Sequence, residues 1–462
     1  MRVCGISVNG GLTGRSLWAA SSNEVAKTHE GSEYNRNNSW NLNFNDGNVN
    51  NNNKYNSNCV RPCTASAEYQ KILSSVWEAY DACLVGKRSS PQALEYMPEA
   101  GEDIPRLAWE LYTMTYEPSL STCFMVLFPK LREVFAAAFR DRIIHHWACM
   151  RLLPLFEERC HELGDVSHAC RKGYGTKTAV KQVQDGMIRV SDHLQKEAWI
   201  YKGDIVGFFM NIRKDIMWRM LRDLINAKYT GDDKELLLFV VRKTVFHHPE
   251  KHCKIQSSLR YWEEIRPDKS LFFNDDDCGG PIGNLTTQLF AGYYMSFLDE
   301  FVEILFLGKN YSYTRSVDDF AIVCDDRIFL RHAIKTIAIF TRERLGLECH
   351  MDKVYFQSVS HGVRFLGVMI YCNRTYTINR TVGRFINRVN DCLEEAEEGM
   401  TDIRAEYWSQ VFNSYFGFLV QTNSYNIRTR IFGMLTHEWY EYFSITNKRI
   451  VIVKRKHKYA RN

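Results

Sequence analysis

From residue 67 onward, apolar residues recur at helical spacing. Tyr69, Ile72, Leu73, Val76 and Tyr80 share one face and predict an amphipathic helix over 68–86. Ile144, Ala148, Leu152 and Leu155 repeat the spacing over 143–158. Two stretches switch to a strand pattern. One is Trp199 to Ile205. The other is Tyr311 to Cys324, where alternating residues flank Asp318-Asp319 and predict a hairpin with its turn at the acids. From about 375 the pattern is helical again, with Val411, Tyr415, Phe418 and Leu419 on one face. Few strands, separated by helical segments, predict an α+β fold with an antiparallel sheet.

Residues 1–66 break this pattern. Asn fills 13 of the 24 positions from Asn35 to Asn58, and apolar residues are sparse. Asn side chains compete for backbone hydrogen bonds and suit neither helix nor strand, so a disordered leader is expected. Asn codons are adenine-rich, so the run is also an adenine cluster in the gene. The remainder of the 462 residues has ordinary composition, enough for about three compact units. The net charge of +5 neither requires nor excludes a nucleic-acid partner, although 13% aromatic residues supply faces on which bases can stack. The tail from Lys448 to Arg461 carries seven Lys/Arg and no acid, suiting either a solvated end or phosphate contact. The longest clean apolar run, Leu236 to Val241, is too short to span a bilayer, and no signal peptide is expected. Fourteen cysteines without a CxxC pair suggest reduced thiols in a cytosol.

The candidate chemistry is acidic. Asp204 ends a strand-like run, and Asp318-Asp319 interrupts an apolar hairpin. Adjacent buried acids are costly without counter-ions. Two divalent cations about 3.5–4 Å apart would resolve that cost and support nucleotidyl transfer. By contrast, Asp232-Asp233, Asp275 to Asp277 and Asp325-Asp326 sit in polar or Gly-rich context and are expected to be loops. His247-His248 to His252-Cys253 has no second ligand pair for closed zinc and is expected to be a surface loop. His145-His146 is expected to pack within a helix.

The neighbours of these acids form an ordered series. Lys130-Leu-Arg132 with Asp141-Arg142, then Arg171-Lys172-Gly173-Tyr174-Gly175-Thr176, resemble the fingers motifs of reverse transcriptases. Asp204 to Phe209 is similar to motif A, Gly280 to Gln288 to motif B, and Ser316-Val317-Asp318-Asp319 to motif C. His350 to Lys353 and Phe365-Leu366-Gly367 are similar to motifs D and E. The resemblance spans about residues 67–430. One position departs: Ser316 stands where the family usually has Tyr, which bears on primer contact and fidelity. The resemblance implies a right-hand polymerase, with fingers and palm over 67–374 and a helical thumb and basic tail over 375–462. It implies a two-metal Mg2+ site on Asp204 and Asp318, with Asp319 in support. Phe209 would be the steric gate against a 2′-OH, and Lys130, Arg132 and Lys172 would clamp the triphosphate. Lys353 would protonate pyrophosphate, and Gly283 would allow close backbone approach to the templating pair.

Motif B narrows the family. Ile282-Gly283-x-x-x-Thr287-Gln288 resembles the reverse transcriptases of diversity-generating retroelements, which copy a template-repeat RNA with errors opposite adenine. Phe139 to His146, Lys269 to Phe272 and Asn413 to Gly417 are similar to the same family. An apolar Ile282 near the nascent pair offers no hydrogen bond and is expected to loosen geometric checking. Asn38 to Lys54, Val60-Arg61-Pro62 and Gly11 to Trp18 resemble such an element's variable protein, so the leader is read as a translated template repeat. The family implies template RNA, cDNA and dNTPs as ligands, a pentameric accessory variability protein as partner, no membrane, and a bacterial or phage-infected cytoplasm. Two other readings remain: a defence-associated or group II intron-like reverse transcriptase, and a non-catalytic RNA-binding protein on a polymerase fold. A near-repeat of codons 30–66, differing mainly at adenines, would distinguish the first of these.

Overall fold

A computed structural model describes residues 66–127, 130–446 and 452–455. The chain divides into two units, Met1–Ser66 and Ala67–Asn462. The Asn-rich leader and most of the basic tail lie outside the described residues.

The fold mixes helices and sheets. The second unit begins with α1 (Ala67–Leu84), α2 (Pro91–Tyr96) and α3 (Ala100–Tyr112). A hairpin of β1 (Ser121–Val126) and β2 (Arg132–Ala136) leads into α4 (Phe139–Glu162). In α1 the residues buried include Tyr69, Ile72, Val76 and Tyr80, as the helical period predicts. Next come α5 (Thr176–Val190), β3 (Trp199–Gly203), α6 (Phe208–Asn211), α7 (Lys214–Lys228) and α8 (Lys234–Val245). They are followed by β4 (Cys253–Ile255), α9 (Arg260–Glu264), α10 (Leu285–Leu305), β5 (Tyr311–Ser316) and β6 (Asp319–Cys324). Then follow α11 (Arg327–Leu345), β7 (Tyr355–Ser358), β8 (Val363–Phe365), β9 (Val368–Tyr371) and β10 (Arg374–Thr377). The C-terminal part holds α12 (Asn379–Glu398), α13 (Asp402–Leu419), α14 (Tyr425–Met434), α15 (His437–Tyr442), β11 (Phe443–Thr446) and β12 (Ile452–Arg455).

A four-stranded sheet, order β5-β6-β3-β7, is antiparallel throughout. One of its faces meets α5. Val180, Val183, Met187 and Val190 of that helix share a core with Ile200, Ala321 and Val323. On the other face Tyr201, Tyr313 and Phe320 pack edge to face. The outer edge of β5 does not stay open: residues 166–168 bond to Arg315 as a parallel bridge. A second sheet has the order β2-β1-β4, and a β10-β9-β8 meander forms a third.

Two expectations need correction. The segment after 375 is not wholly helical, because β11 and β12 pair as an antiparallel hairpin. The buried stripe of α13 is Ala405, Trp408, Phe412, Phe416 and Leu419, with Val411, Tyr415 and Phe418 only half-buried. The 247–253 stretch is at the surface as expected, with Lys251 and His252 exposed, but Pro249 is buried and the Glu250 side chain is 14% exposed. Asp232-Asp233 and Asp325-Asp326 lie outside helices and strands, as expected, and two of them are engaged there: Asp233 meets Arg151 at 2.6 Å and Asp326 caps α11 through Phe329 N at 2.9 Å. Among the described residues, no helix is long and apolar enough to cross a membrane.

His145 packs in α4 as expected, buried, and its Nδ1 has no hydrogen-bond partner among the described residues. Burial, reinforced by His247 and His146, pushes its pKa down to about 3, and His247 is pushed down to about 4. Unfolded histidine binds a proton below about 6.5, whereas folded His145 does not until far lower, so stability falls as pH falls through that window. We expect a loss of about 2 kcal/mol between pH 7 and 5 from His145 alone. Urea denaturation at the two pH values should show it, and His145→Phe should shrink it.

Candidate active site

Register brings the acids together. Gly203 pairs with Phe320, so one further antiparallel step sets Asp204 across from Asp319. Ser316 pairs with Asp319, leaving Val317 and Asp318 as a two-residue turn. Such turns need positive φ at the first central position, normally a glycine role. Here Val317 takes φ 58, a conformation costing a β-branched residue roughly 1–3 kcal/mol. Arg315 Nη1 donates to the Val317 carbonyl at 3.0 Å. The Asp204 backbone is also pinned: His350 N donates to its carbonyl at 2.9 Å, and Ile205 bridges to Cys349.

The three carboxylates repel one another. Burial first, then the charges of Asp319 and Asp204, push the Asp318 carboxyl up to about 6, with Arg132 pulling against them. Asp204 is raised by burial and by Asp319, opposed by His350 and Lys202. Lys202 Nζ lies 3.1 Å from Asp319 Oδ1, and among the described residues no cation pairs directly with Asp204 or Asp318. These are hard oxygens whose charge is under-compensated, the donor type a divalent cation takes, although the three acids do not form a group whose ligand atoms all lie within 4.8 Å of one another.

The other expected residues fall in two groups. Phe209 on α6 and Ile282 pack around a small apolar cluster of Cys123, Phe135, Met210 and Leu271. Gly280 N donates to the Phe209 carbonyl at 2.7 Å, and Phe135 N to the Ile282 carbonyl at 2.9 Å. The close approach at Gly283 is internal: a Cβ there would stand 2.8 Å from the Phe135 carbonyl oxygen. Lys130 and Arg132 are exposed at the β1–β2 connection, and Lys172 is exposed beside buried Arg171. Arg171 is engaged with Glu157 at 2.8 Å and Asp165 at 2.6 Å, which leaves Lys172 as the outward cation of that loop. Gln288, in the first turn of α10, accepts from Cys170 Sγ at 3.4 Å. Lys353 ends a short 3-10 turn, Met351–Lys353, and its side chain lies outside the described residues.

Three polar residues that shape this region escaped the motif reading. Glu133 is buried in β2 and accepts from Trp262 Nε1, Ser270 Oγ and Leu271 N at 2.6, 2.6 and 2.7 Å. Those bonds fasten the 262–271 segment to the strand. Arg315 and Asp299 form a buried pair beside the Val317–Asp318 turn. Their sequence signal was faint: Arg315 is the one charge in β5, and Asp299 stands next to Glu300 but on the buried side of α10.

Among the described residues, His248, Glu250 and Asp276 form a cluster whose ligand atoms lie within 4.8 Å of one another. Its charges are already met. Lys251 Nζ is 2.5 Å from Asp276, and buried Lys214 Nζ is 3.2 Å from His248 Nδ1. Two ammonium groups oppose a divalent cation there, so the cluster is an ion-pair network.

No protein-family model and no curated protein matches the chain. Solved structures similar to it include telomerase from Candida albicans with the TWJ fragment of telomeric RNA, at 11% identity and TM-score 0.42. That alignment covers 71% of this chain and 61% of the telomerase chain. Apo telomerase from Candida tropicalis aligns at 9% identity and TM-score 0.41, over 69% of this chain and 57% of that one. The chain thus spans less than two thirds of these telomerases. At this level of similarity the functional reading rests on the residues themselves.

Gly283 provides a direct check. Its φ of 126 and the Phe135 contact make Gly283→Ala strained. We expect a loss of about 1–3 kcal/mol in urea denaturation. Gly417→Ala, in open space on α13, should cost nothing or stabilise.

Proposed function

We propose that this chain is an RNA-directed DNA polymerase, the reverse transcriptase of a diversity-generating retroelement. The observation that carries the proposal is Asp204 held across from Asp319 at the end of an antiparallel sheet, with Asp318 in the adjoining turn. Residues 67–374 would form fingers and palm, and 375–462 the thumb and tail. Asp204 and Asp318 would hold magnesium, with Asp319 in support; bound there, it would stabilise the charge of a transferring phosphoryl group.

The chain's own residues supply the rest. Lys130, Arg132 and Lys172 are cations free to grip a triphosphate. Phe209 offers an aromatic edge against the sugar, which disfavours a 2′-OH. Lys353 would hold a proton for the departing pyrophosphate. Ile282 stands with Phe209 in an apolar wall, so a nascent pair beside it meets no hydrogen-bonding check. That suits copying with errors opposite adenine. A template-repeat RNA and a pentameric accessory protein complete the proposal as partners.

Two experiments test it. Asp204→Asn and Asp318→Asn should each lower primer extension on an RNA template by roughly 100-fold or more, with RNA affinity within about threefold. Activity near wild type in either variant would remove that carboxylate from the mechanism. Separately, Ile282→Gln should reduce misincorporation opposite adenine, read by sequencing the cDNA. Unchanged adenine error would defeat the retroelement reading while leaving the polymerase standing.

A further inference from the structure

Arg315 lies inside β5 with no exposed surface, three residues from Asp318. All three of its guanidinium nitrogens are hydrogen-bonded. Nε and Nη2 bond to Asp299 Oδ1 and Oδ2 at 2.6 and 2.5 Å, and Nη1 reaches the Val317 carbonyl at 3.0 Å. Tyr313 Oη donates to Asp299 Oδ1 at 2.8 Å. A weaker bond from Nη2 reaches the Gly292 carbonyl on α10 at 3.4 Å. The Arg315 backbone is also occupied: its N–H donates to the Val166 carbonyl at 2.8 Å, and its carbonyl accepts from His168 N at 2.9 Å. One residue thus ties α10, the catalytic turn and the loop leading to Arg171-Lys172.

We infer that Arg315, oriented by Asp299, is a positioning residue that holds the Val317–Asp318 turn in its left-handed conformation and thereby aims the catalytic carboxylates. A buried guanidinium needs an acceptor at every nitrogen, and Asp299 serves two of the three; what sets this pair apart is where the third acceptor sits. The remaining Nη1 bond goes to the one residue of the hairpin whose backbone is unfavourable for its side chain. Only a planar, forked cation can hold a carboxylate with two nitrogens and a carbonyl with a third. Lysine would keep the charge and lose that geometry. The same residue places the Lys172 loop against the β5 edge, so the aspartates and a proposed phosphate-gripping cation share one anchor.

The inference rests on the polymerase reading, and the test separates the two. Arg315→Lys is compared with wild type for primer extension, Mg2+ dependence and thermal midpoint, in both the Val317 and Val317→Gly backgrounds. We expect Arg315→Lys to lower kcat about tenfold or more, with dNTP KM within about threefold, and to raise the Mg2+ needed for half-maximal rate. The loss should be clearly smaller in the Val317→Gly background, because glycine takes positive φ without help. A purely stabilising pair would show the same loss in both backgrounds, and that result would overturn the inference. So would wild-type kcat and Mg2+ dependence in Arg315→Lys. Should that variant not fold, Asp299→Asn is put through the same cycle with the same readings. If the wild-type protein extends no primer, the polymerase reading falls, and the turn is read by hydrogen exchange. Arg315→Lys should then speed exchange of the 317–319 amides about tenfold with α5 unchanged; equal exchange would sink the positioning role.

Discussion

Like charges at the end of a sheet are the constraint around which this fold is arranged. Asp204, Asp318 and Asp319 raise one another's energy, and burial removes much of the water that would screen them. Left to themselves, strand ends fray and such acids swing apart. Here the register of β3 on β6 fixes Asp204 opposite Asp319, and a two-residue turn leaves Asp318 little room. Lys202, on the same strand face as Asp204, takes part of the load through Asp319. The flanking helices supply the apolar burial that keeps this register from slipping, since a one-residue slip would turn each strand inside out.

Much of that arrangement was legible in the sequence because it depends on short-range pattern. The hairpin over 311–324 follows from alternation, and its turn falls at the acids because apolar residues resume on both sides. Helices α1 and α4 follow from the 3.6 period. What failed was set by long-range partners. The buried face of α13 is rotated from the expected one because Trp408 and Phe412 pack on Phe385, Trp439 and Phe443 from other elements. The β11–β12 pairing has no local signal strong enough to outweigh its basic composition. His248 meets Asp276 and Lys214 only through tertiary contacts.

The site shows the same division. Motif positions could be found by order, but not their geometry. The sequence reading gives Gly283 a close backbone approach to a templating pair; the structure uses its missing side chain to let the 280–288 segment pass the Phe135 carbonyl. The two ideas are compatible, since the strand it passes carries Arg132 at its start. Packing β2 against Ile282 and Gly283 brings Arg132 close enough to influence Asp318. The glycine is therefore a hinge between the proposed cation clamp and the acids, and its effect on chemistry would run through that spacing.

Buried charge in this protein falls into two kinds, and the contrast argues for where function lies. Glu133 is met by three donors, Asp141 by Tyr116 at 2.8 Å and Ser119 N at 2.9 Å, and Asp299 by Arg315 and Tyr313. Each is a closed account of hydrogen bonds in which partners are matched to lone pairs, as structural polar groups must be. Asp204 and Asp318 are half-buried, and their strongest listeners are other carboxylates. Unlike those three, the two acids have no matched set of donors. Strain at Val317 points the same way, because a relaxed turn would place Asp318 differently and more cheaply. Repulsion and strain meet in four consecutive residues, Ser316 to Asp319, and both are sustained by contacts from outside them. That combination is expected of a site whose missing stabilisation comes from what it binds.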